Sequence, residues 1–335
     1  MKLISLALAA LATVLALVLT ACGGVDNTSG GDEGGETKLS LVAYSTPREA
    51  YEEIIPAFQR TEQGSGVKIS QSYGASGEQS RAVEAGLPAD VVEFSLAPDM
   101  ERLVESGFVA EDWAENEHKG MVTDSVVVLA VRKGNPKGVQ TWDDLLRDDI
   151  EVITPNPFTS GGARWNVMAA YGAQLEQGKS EEEAIEFLRQ LFSHVPVQDK
   201  SARESLQTFS GGKGDVLLAY ENEAIFAQQS GEELDYVVPD QTILIENPVA
   251  VTSEAPAQAQ SFVDFLLTPE AQKIFGEKGY RPVDEKVAAS FDFPAPPNLF
   301  TIDDLGGWDT VSDTFFDREK GIMAEIEQEL GVPTD

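Results

Sequence analysis

The turn Ser160-Gly161-Gly162 combines what an anion site needs, a hydroxyl followed by two unhindered backbone N–H groups. Before it, the β-branched run 150–154 predicts a buried strand. After it, apolar residues recur at the spacing of one helical face, at Trp165, Met168, Ala169 and Gly172. The first N–H groups of a helix have no acceptor inside it, and the helix dipole adds about half a positive charge there. The turn therefore predicts an anion site without a cation, although an ordinary capped turn is the simpler explanation of one such motif alone.

The same pattern recurs at three other predicted helix starts. These helices are expected to begin at Pro47, near Ser76 and near Ser201, each just after the carboxyl end of a predicted strand. Ser76 with Gln79, and Ser201 with Glu204, match the capping-box pattern. Because ligands of open α/β sheets bind at that end of the strands, the recurrence favours a ligand site.

Strands and helices alternate along the chain, which indicates an α/β fold of two open, mostly parallel sheets flanked by helices. Crossings between two lobes are expected at Gly134-Asn135-Pro136 and at Asn247-Pro248. We place lobe 1 at 38–123 and 248–335, and lobe 2 at 124–247. The last part of the chain, from residue 276 onward, is called the closing segment and is expected to wrap back over lobe 1. Two of the four helix starts fall in each lobe. The ligand cleft is therefore expected between the lobes, where a hinge motion can close it.

The composition limits the partners of the chain. Its 335 residues carry a formal net charge of −33, and 42% of them are hydrophobic, enough for two cores. A surface this acidic argues against nucleic acid as a partner and against adsorption to anionic lipid. It permits a local pocket for a small anion, because salt screens the global charge within about 8–10 Å.

The first residues read as an export signal. Residues 1–21 hold a lysine and an apolar run, which predicts a signal peptide. Residues 19–23, Leu-Thr-Ala-Cys-Gly, resemble the lipobox of bacterial lipoproteins. That resemblance implies cleavage before Cys22, its acylation, and anchoring outside the cytoplasmic membrane, at the cell surface or the periplasmic face. Residues 22–37, rich in Gly, Ser, Asp and Asn, predict a flexible tether. Cys22 is the only cysteine, so no disulfide is expected within the fold.

The sequence offers no constellation for catalysis. The only histidines are His118 and His194, and His194 fits a helix end or the core. Gly74-Ala-Ser-Gly77 lacks the second spaced glycine of a nucleophile elbow, and Gly211-Gly-Lys-Gly214 lacks the Ser or Thr of a P-loop. There is no HExxH motif and no cysteine cluster for a metal. We therefore expect a binding protein without a cofactor or metal, and not an enzyme.

Taken together, these segments resemble the sulfate/thiosulfate-binding proteins of bacterial ABC importers, which have the two-lobed type II periplasmic-binding-protein fold. The likeness runs from about Leu39 to Phe316. It rests on matches in one order, at 44–49, 74–79, 89–92, 131–136, 153–157, 160–165, 201–203, 221–224 and 300–303. The resemblance implies a dehydrated tetrahedral oxyanion held by backbone N–H groups and neutral side-chain donors, with no charged residue touching it.

Carried over by position, the resemblance implies side-chain donors at Ser160 and Tyr220 and backbone donors at Ser45, Ser76, Gly161, Gly162 and Ala202. Two positions depart from the family. Tyr220 stands where the family usually has Trp, whose indole N–H donates. Ser45 stands where it usually has Asp, of which only the backbone N–H is used. A tyrosine hydroxyl can accept as well as donate, so Tyr220 leaves the identity of the ligand open.

Arginines near the turns are expected to support them without touching the ligand. Arg48, Arg164 and Arg203 follow three of the four helix starts. We further expect Arg203 to pair with Asp99 across the closed cleft. Solvated surface arginines are the alternative.

The number of protons on the anion suggests how such a pocket selects. Sulfate near neutral pH carries no proton, whereas the proton of hydrogen phosphate would face a donor, a clash that costs about 1–3 kcal/mol or more. Together with the two resemblances, this leads us to expect a monomer that captures sulfate or thiosulfate and delivers it to ABC permease subunits, attached to the membrane only by its lipid. Another oxyanion, such as molybdate or phosphate, and a non-transport adhesion or scaffold lipoprotein are the alternatives.

Overall fold

The structure, a computed structural model, describes residues 36–332. The predicted signal peptide, Cys22 and nearly all of the predicted tether lie outside these residues. Within the described part, no helix combines the length and the apolar character that crossing a bilayer requires.

The described chain alternates strands and helices through most of its length. The strands are β1 (Thr37–Tyr44), β2 (Val67–Gly74), β3 (Val91–Glu93), β4 (Met121–Arg132), β5 (Val152–Ile153), β6 (Val216–Tyr220), β7 (Leu234–Val237), β8 (Gln241–Val251), β9 (Arg281–Pro282) and β10 (Asn298–Phe300). The α-helices are α1 (Arg48–Gln59), α2 (Ser76–Glu84), α3 (Ala97–Glu105), α4 (Gly161–Glu176), α5 (Glu181–Ser193), α6 (Ala202–Ser210), α7 (Glu221–Gln229), α8 (Ala257–Leu266), α9 (Pro269–Glu277), α10 (Glu285–Ala288), α11 (Gly307–Phe315) and α12 (Ile322–Leu330). Short 3₁₀ helices cover Trp142–Leu146 and Asp303–Leu305.

The strands pair in the order β2-β1-β3-β8-β4-β6-β5, with β10 beside β8 and with β7 and β9 beside β4. Strand β1 is parallel to β2 and β3, and β5 is parallel to β6. Strand β4 is antiparallel to β6, β7 and β8, and β8 is antiparallel to β3. The predicted α/β fold is confirmed, but the sheet is mixed rather than mostly parallel. The chain passes along β4 in one direction and returns along β8, which makes these two central strands antiparallel.

Strand β8 continues unbroken through Asn247-Pro248, where we expected a crossing between the lobes. Pro248 lies opposite Met121, where the register between β4 and β8 shifts. Proline has no N–H for a strand ladder, and such irregularities are where strands accommodate it.

Two large cores flank the central strands. In the first, α1, α8 and α9 cover β1, and Phe58 packs on Phe262 with ring centroids 5.1 Å apart. In the second, α4 and α5 pack with the closing segment, and Trp165 meets Trp308 at 4.7 Å. The closing segment, which we expected over lobe 1, thus shares a core with α4 and α5. Its apolar residues Phe315, Phe316, Met323 and Ile326 are buried there.

Helix α1 shows how an apolar stripe directs packing. Its apolar stripe is buried, at Tyr51, Ile54, Ile55 and Phe58. Pro56 lies inside the helix but does not end it early, since α1 continues to Gln59. Because one face of α1 is buried against the core, the orientation of the helix is determined by this packing. The first turn of α1 lies just after the end of β1.

Candidate ligand-binding site

The segment that leads into α1 and the first turns of α2, α4 and α6 meet at one small cavity. The cavity volume is ≈ 10 Å³, which is about the room of one water molecule. It is lined by Tyr44, Ser45, Thr46, Ala75, Ser76, Ser95, Ser160, Gly162, Ala202 and Tyr220. Helix starts that are separate in the sequence therefore face a single point.

Most of the predicted site residues line this cavity. Six do so, namely Ser45, Ser76, Ser160, Gly162, Ala202 and Tyr220. Gly161 opens α4 but is not part of the lining, because it packs behind it. An added Cβ at Gly161 would lie 2.7 Å from both Ser95 Oγ and Leu96 Cδ2. Only a glycine therefore lets α4 begin this close to the end of β3.

Backbone N–H groups are the main donors that the helices can supply here. Ser76, Gly161 and Ala202 are each the first residue of a helix, so their N–H groups have no acceptor within it. The ten residues that line the cavity include no charged side chain. A negative guest in this cavity would thus meet polar hydrogens and the positive ends of helix dipoles.

The hydroxyl of Ser76 is engaged by two other protein groups. The Ser76 hydroxyl donates to Asp99 Oδ2 at 2.6 Å and accepts from the N–H of Ser95 at 3.0 Å. The predicted capping box is not formed, because Ala75 is the N-cap residue and Gln79 Nε2 donates to Ser72 Oγ. Asp99 is therefore a neighbour of the cavity whose carboxylate orients Ser76.

Two serines cap helices as predicted, with different consequences for the cavity. Ser160 Oγ accepts from the N–H of Ala163 at 3.4 Å, and Ser201 Oγ accepts from the N–H of Glu204 at 3.3 Å. The capping box predicted at Ser201 also requires the Glu204 carboxylate to accept from the N–H of Ser201. That carboxylate instead accepts from the N–H of Lys200. Of the two caps only Ser160 lines the cavity, where its hydroxyl proton is available to a ligand.

The prediction that Arg203 pairs with Asp99 is wrong. Arg203 donates to both carboxylate oxygens of Glu49, at 2.6 and 2.8 Å, and to Glu223, at 2.9 and 3.1 Å. Asp99 instead accepts from Arg102 at 3.2 Å. Arg203 lies at the start of α6 and Glu49 at the start of α1, so their opposite charges meet where these two helices converge. Asp99 is held away by Ser76 and Arg102, on the side of α2 and α3.

The charge states of Arg203, Glu49 and Glu223 depend on their burial and on their mutual hydrogen bonds. Burial favours the neutral form of Arg203. The negative charges and hydrogen bonds of Glu223 and Glu49 have the larger effect and raise the pKa of the guanidinium. Burial also raises the pKa of Glu223 despite that pair. At Glu49, which is only half-buried, the hydrogen bonds from Arg203 outweigh burial and lower the pKa. Arg203 thus stays charged and holds the two helix starts.

The other two predicted arginines differ in their surroundings. Arg164 Nε donates to the carbonyl of Pro157 at 3.0 Å, and its guanidinium lies 4.9 Å from the Phe316 ring centroid. It therefore braces the turn before α4. Arg48 is exposed and lies 4.9 Å from the centroid of the Tyr73 ring, so it covers that ring on the surface.

Carboxylates close to the cavity are turned to other partners. Glu93, two residues before Ser95, is fully buried and accepts a hydrogen bond from the Tyr51 hydroxyl. Burial raises the pKa of Glu93 to about 8. Within residues 36–332, no group of His, Cys, Asp and Glu is arranged to hold a metal ion.

Sequence reasoning missed Tyr44, Thr46, Ala75 and Ser95 as lining residues. Thr46 Oγ1 shares a hydrogen bond with the Tyr280 hydroxyl at 2.8 Å, and Ser95 Oγ shares one with the Tyr220 hydroxyl at 2.6 Å. Ser95 lies two residues after β3, and its place just beyond the carboxyl end of a strand is the one local signal that could have identified it.

Comparison with known proteins places the chain in a family. Residues 39–281 match the family model for bacterial extracellular solute-binding proteins. A protein of Synechococcus elongatus named "Sulfate-binding protein" is 42% identical over 92% of this chain and 92% of its own length. A protein of Pseudomonas aeruginosa named "Thiosulfate-binding protein" is 36% identical over 89% of this chain and 94% of its own.

A solved structure extends the likeness to three dimensions. The sulfate-binding protein SubI from Mycobacterium tuberculosis superimposes with a TM-score of 0.82 and 47% identity, over 84% of this chain and 100% of that one. Sequence and structure agree over nearly all of the described residues. The chain belongs to the bacterial extracellular solute-binding proteins, in the family that includes the sulfate-binding and thiosulfate-binding proteins.

Proposed function

We propose that this chain is the binding protein of an ABC importer and captures sulfate, with thiosulfate as the related second ligand. The observation that carries the proposal is the cavity at four helix starts, lined only by neutral residues. Relatives named for sulfate and thiosulfate binding, at 42% and 36% identity, support it. The chain is a transport binding protein and not an enzyme.

The proposed contacts to the anion are hydrogen bonds from uncharged groups. Ser160 supplies its hydroxyl, and backbone N–H groups come from Ser45, Ser76, Gly161, Gly162 and Ala202. Hydrogen bonds to a charged group contribute about 1.5–3 kcal/mol each. They can replace the water around a dianion only if they are held in place beforehand, which the capped helices and the Arg203 pairs provide.

Selectivity is proposed to follow from the absence of an acceptor carboxylate in the lining. A guest without protons can accept from every donor, as sulfate does near neutral pH. The proton of hydrogen phosphate would face another donor and remain unpaired, at a cost of about 1–3 kcal/mol.

Capture is proposed to close the two lobes that we placed at 38–123 with 248–335 and at 124–247. Strands β4 and β8 run between them, and Arg203 with Glu49 joins one helix start from each. Delivery to the permease subunits is proposed to use a monomer, anchored outside the cytoplasmic membrane by acylated Cys22 and held by the tether 22–37. The lipobox-like residues 19–23 support the anchor.

Calorimetry of the mature chain with sulfate tests the proposal. We expect heat of binding at one site per chain and displacement of sulfate by thiosulfate in competition at fixed salt. Molybdate and phosphate, titrated in the same series, should compete more weakly. A chain that gives no heat with any of the four anions is a scaffold rather than a binding protein, and preferred binding of phosphate or molybdate would replace sulfate as the ligand.

A further inference from the structure

Two hydroxyl groups meet at the wall of the cavity. Ser95 Oγ and the Tyr220 hydroxyl are 2.6 Å apart, and either could donate to the other on distance alone. Both residues are 1% exposed, and both line the cavity. Each hydroxyl has one proton, so only one of the two has a proton left for a ligand.

The orientation of the Asn247 side chain favours one direction for this hydrogen bond. Its Nδ2 lies 3.1 Å from the carbonyl oxygen of Ser95, which can only accept, so the amide nitrogen must be on this side. Its Oδ1 accepts from Thr123 Oγ1 at 3.2 Å, which agrees with the same orientation. An amide nitrogen has two protons and no acceptor site. The second N–H of Asn247 is therefore the group that can serve the Tyr220 oxygen.

The surroundings of Tyr220 agree with that role. Burial raises the pKa of Tyr220, and hydrogen bonds with Ser95 and Asn247 oppose this effect only in part. The phenol thus stays neutral and retains its single proton. A Tyr220 oxygen that accepts from Asn247 leaves the phenol proton for Ser95 Oγ, 2.6 Å away.

We propose that the Ser95 hydroxyl is a direct donor to the bound anion and that Tyr220 is a positioning residue that aims it. The donors then run in one direction, from Asn247 to Tyr220, from Tyr220 to Ser95 and from Ser95 to the anion. This inference rests on the proposed function and adds a ligand contact at Ser95. It also explains why the Ser95 hydroxyl, which could accept a hydrogen bond, donates one to the anion.

The consequence concerns specificity. With its acceptor side occupied by the Tyr220 proton, Ser95 presents only a proton to the guest. An anion that carries a proton at this point would meet a donor and leave its own proton unpaired. Without the Tyr220 hydroxyl, Ser95 could rotate and accept, which removes that discrimination.

The test compares sulfate affinity by calorimetry in wild type, Ser95→Ala, Tyr220→Phe and the double variant. Loss of a direct donor to a charged group should weaken binding by Ser95→Ala about 10- to 150-fold. Tyr220→Phe alone should cost less, and the double variant should bind within about twofold of Ser95→Ala, because Tyr220 acts only through Ser95. Competition with phosphate should show a lower sulfate preference in Tyr220→Phe than in wild type.

Ser125→Ala is the matched control, since Ser125 is a buried serine that donates to Asn222 Oδ1 at 3.0 Å and does not line the cavity. It should leave sulfate affinity unchanged. Melting temperatures without sulfate show whether each variant folds, and the phosphate competition of Tyr220→Phe tests the proposal even if Ser95→Ala is unstable. Unchanged affinity in Ser95→Ala, or a Tyr220→Phe loss that persists in full beside Ser95→Ala, would overturn the assignment. Wild type without sulfate binding would overturn the proposed function itself.

Discussion

Arg203 contacts both carboxylate oxygens of Glu49, at 2.6 and 2.8 Å, across 154 positions of the sequence. The same guanidinium contacts Glu223, whose side chain is only 2% exposed. One cation therefore holds two carboxylates and the starts of α1, α6 and α7. This places the charged cluster beside the cavity and not in its lining.

Removing this guanidinium should destabilise the fold. In Arg203→Met the buried Glu223 loses its charged partner, and breaking such a pair costs about 3–5 kcal/mol when both groups are buried. Because Glu49 is partly exposed and screened, we expect a loss of about 2–4 kcal/mol in the free energy of unfolding. Urea denaturation measures it.

Arg189→Met is the control for that measurement. Arg189 pairs with Glu329 on the surface, with side-chain exposures of 34% and 58%. Its loss should cost about 1 kcal/mol or less. Equal losses in the two variants would show that the Arg203 cluster contributes no more than a surface pair.

Two neighbouring glycines should respond differently to alanine. In Gly161→Ala the new Cβ would lie 2.7 Å from Ser95 Oγ and from Leu96 Cδ2, and overpacking of this kind costs about 1–3 kcal/mol of stability. In Gly162→Ala the nearest atoms are at 3.5 Å, so the fold should be retained. Those atoms belong to Ser160, Ala202 and Tyr220, which line the cavity, so the methyl group should take the space of the ligand.

We therefore expect Gly162→Ala to keep its thermal stability and to lose sulfate affinity by about tenfold or more, which corresponds to ~1.4 kcal/mol. Thermal unfolding and calorimetry of both variants make the comparison. A Gly162→Ala protein with normal affinity would show that α4 does not approach the ligand at this residue.

The two capping serines separate helix stability from ligand contact. Ser160→Ala and Ser201→Ala each remove an N-cap acceptor, which should cost about 0.5–2 kcal/mol in the free energy of unfolding. Ser160 lines the cavity and Ser201 does not. Calorimetry should therefore show a loss of sulfate affinity in Ser160→Ala that clearly exceeds the loss in Ser201→Ala. Similar affinities in the two variants would remove the Ser160 hydroxyl from the proposed contacts.

Glu93 should make stability depend on pH. Its pKa is about 8 in the folded chain, against about 4.3 in an unfolded one. Between these values the folded state keeps a proton that the unfolded state has lost, so stability is highest below about pH 4.3 with respect to this group and falls as pH rises towards about 8. Over the whole range the fall is about 5 kcal/mol.

Glu93→Gln should abolish this contribution, because the amide does not titrate. Urea unfolding of wild type and Glu93→Gln at about pH 5 and about pH 8 measures how much the free energy of unfolding changes with pH in each protein. Burial also raises the pKa of Asp124 to about 7. Its effect on the pH dependence of stability is the same in both proteins and cancels in the comparison. Parallel slopes for the two proteins would mean that Glu93 is ionised throughout this range.

Local chemistry made much of the site predictable. Ser160 and Ser201 cap helices through bonds to residues three positions away, and such contacts can be read from spacing. The burial of Tyr51 and Phe58 followed from their helical period in the same way. Helix starts after strand ends then indicated a ligand site.

Contacts between distant segments were not predictable in this way. Nothing near Arg203 in the sequence distinguishes Glu49 from Asp99 as its partner, since both are acidic residues in the first turn of a helix. Ser95 and Tyr220 meet across 125 positions, and Asn247, which donates to the Ser95 carbonyl, comes from a third segment.

The sequence by itself determined that polar helix starts would follow strand ends, because capping and burial act over a few residues. Only the tertiary structure decided which of these groups share one cavity and which charges neutralise one another beside it. Those choices depend on the path of β4 and β8 through the sheet, which brings separate helices to one point, and no local pattern encodes that path.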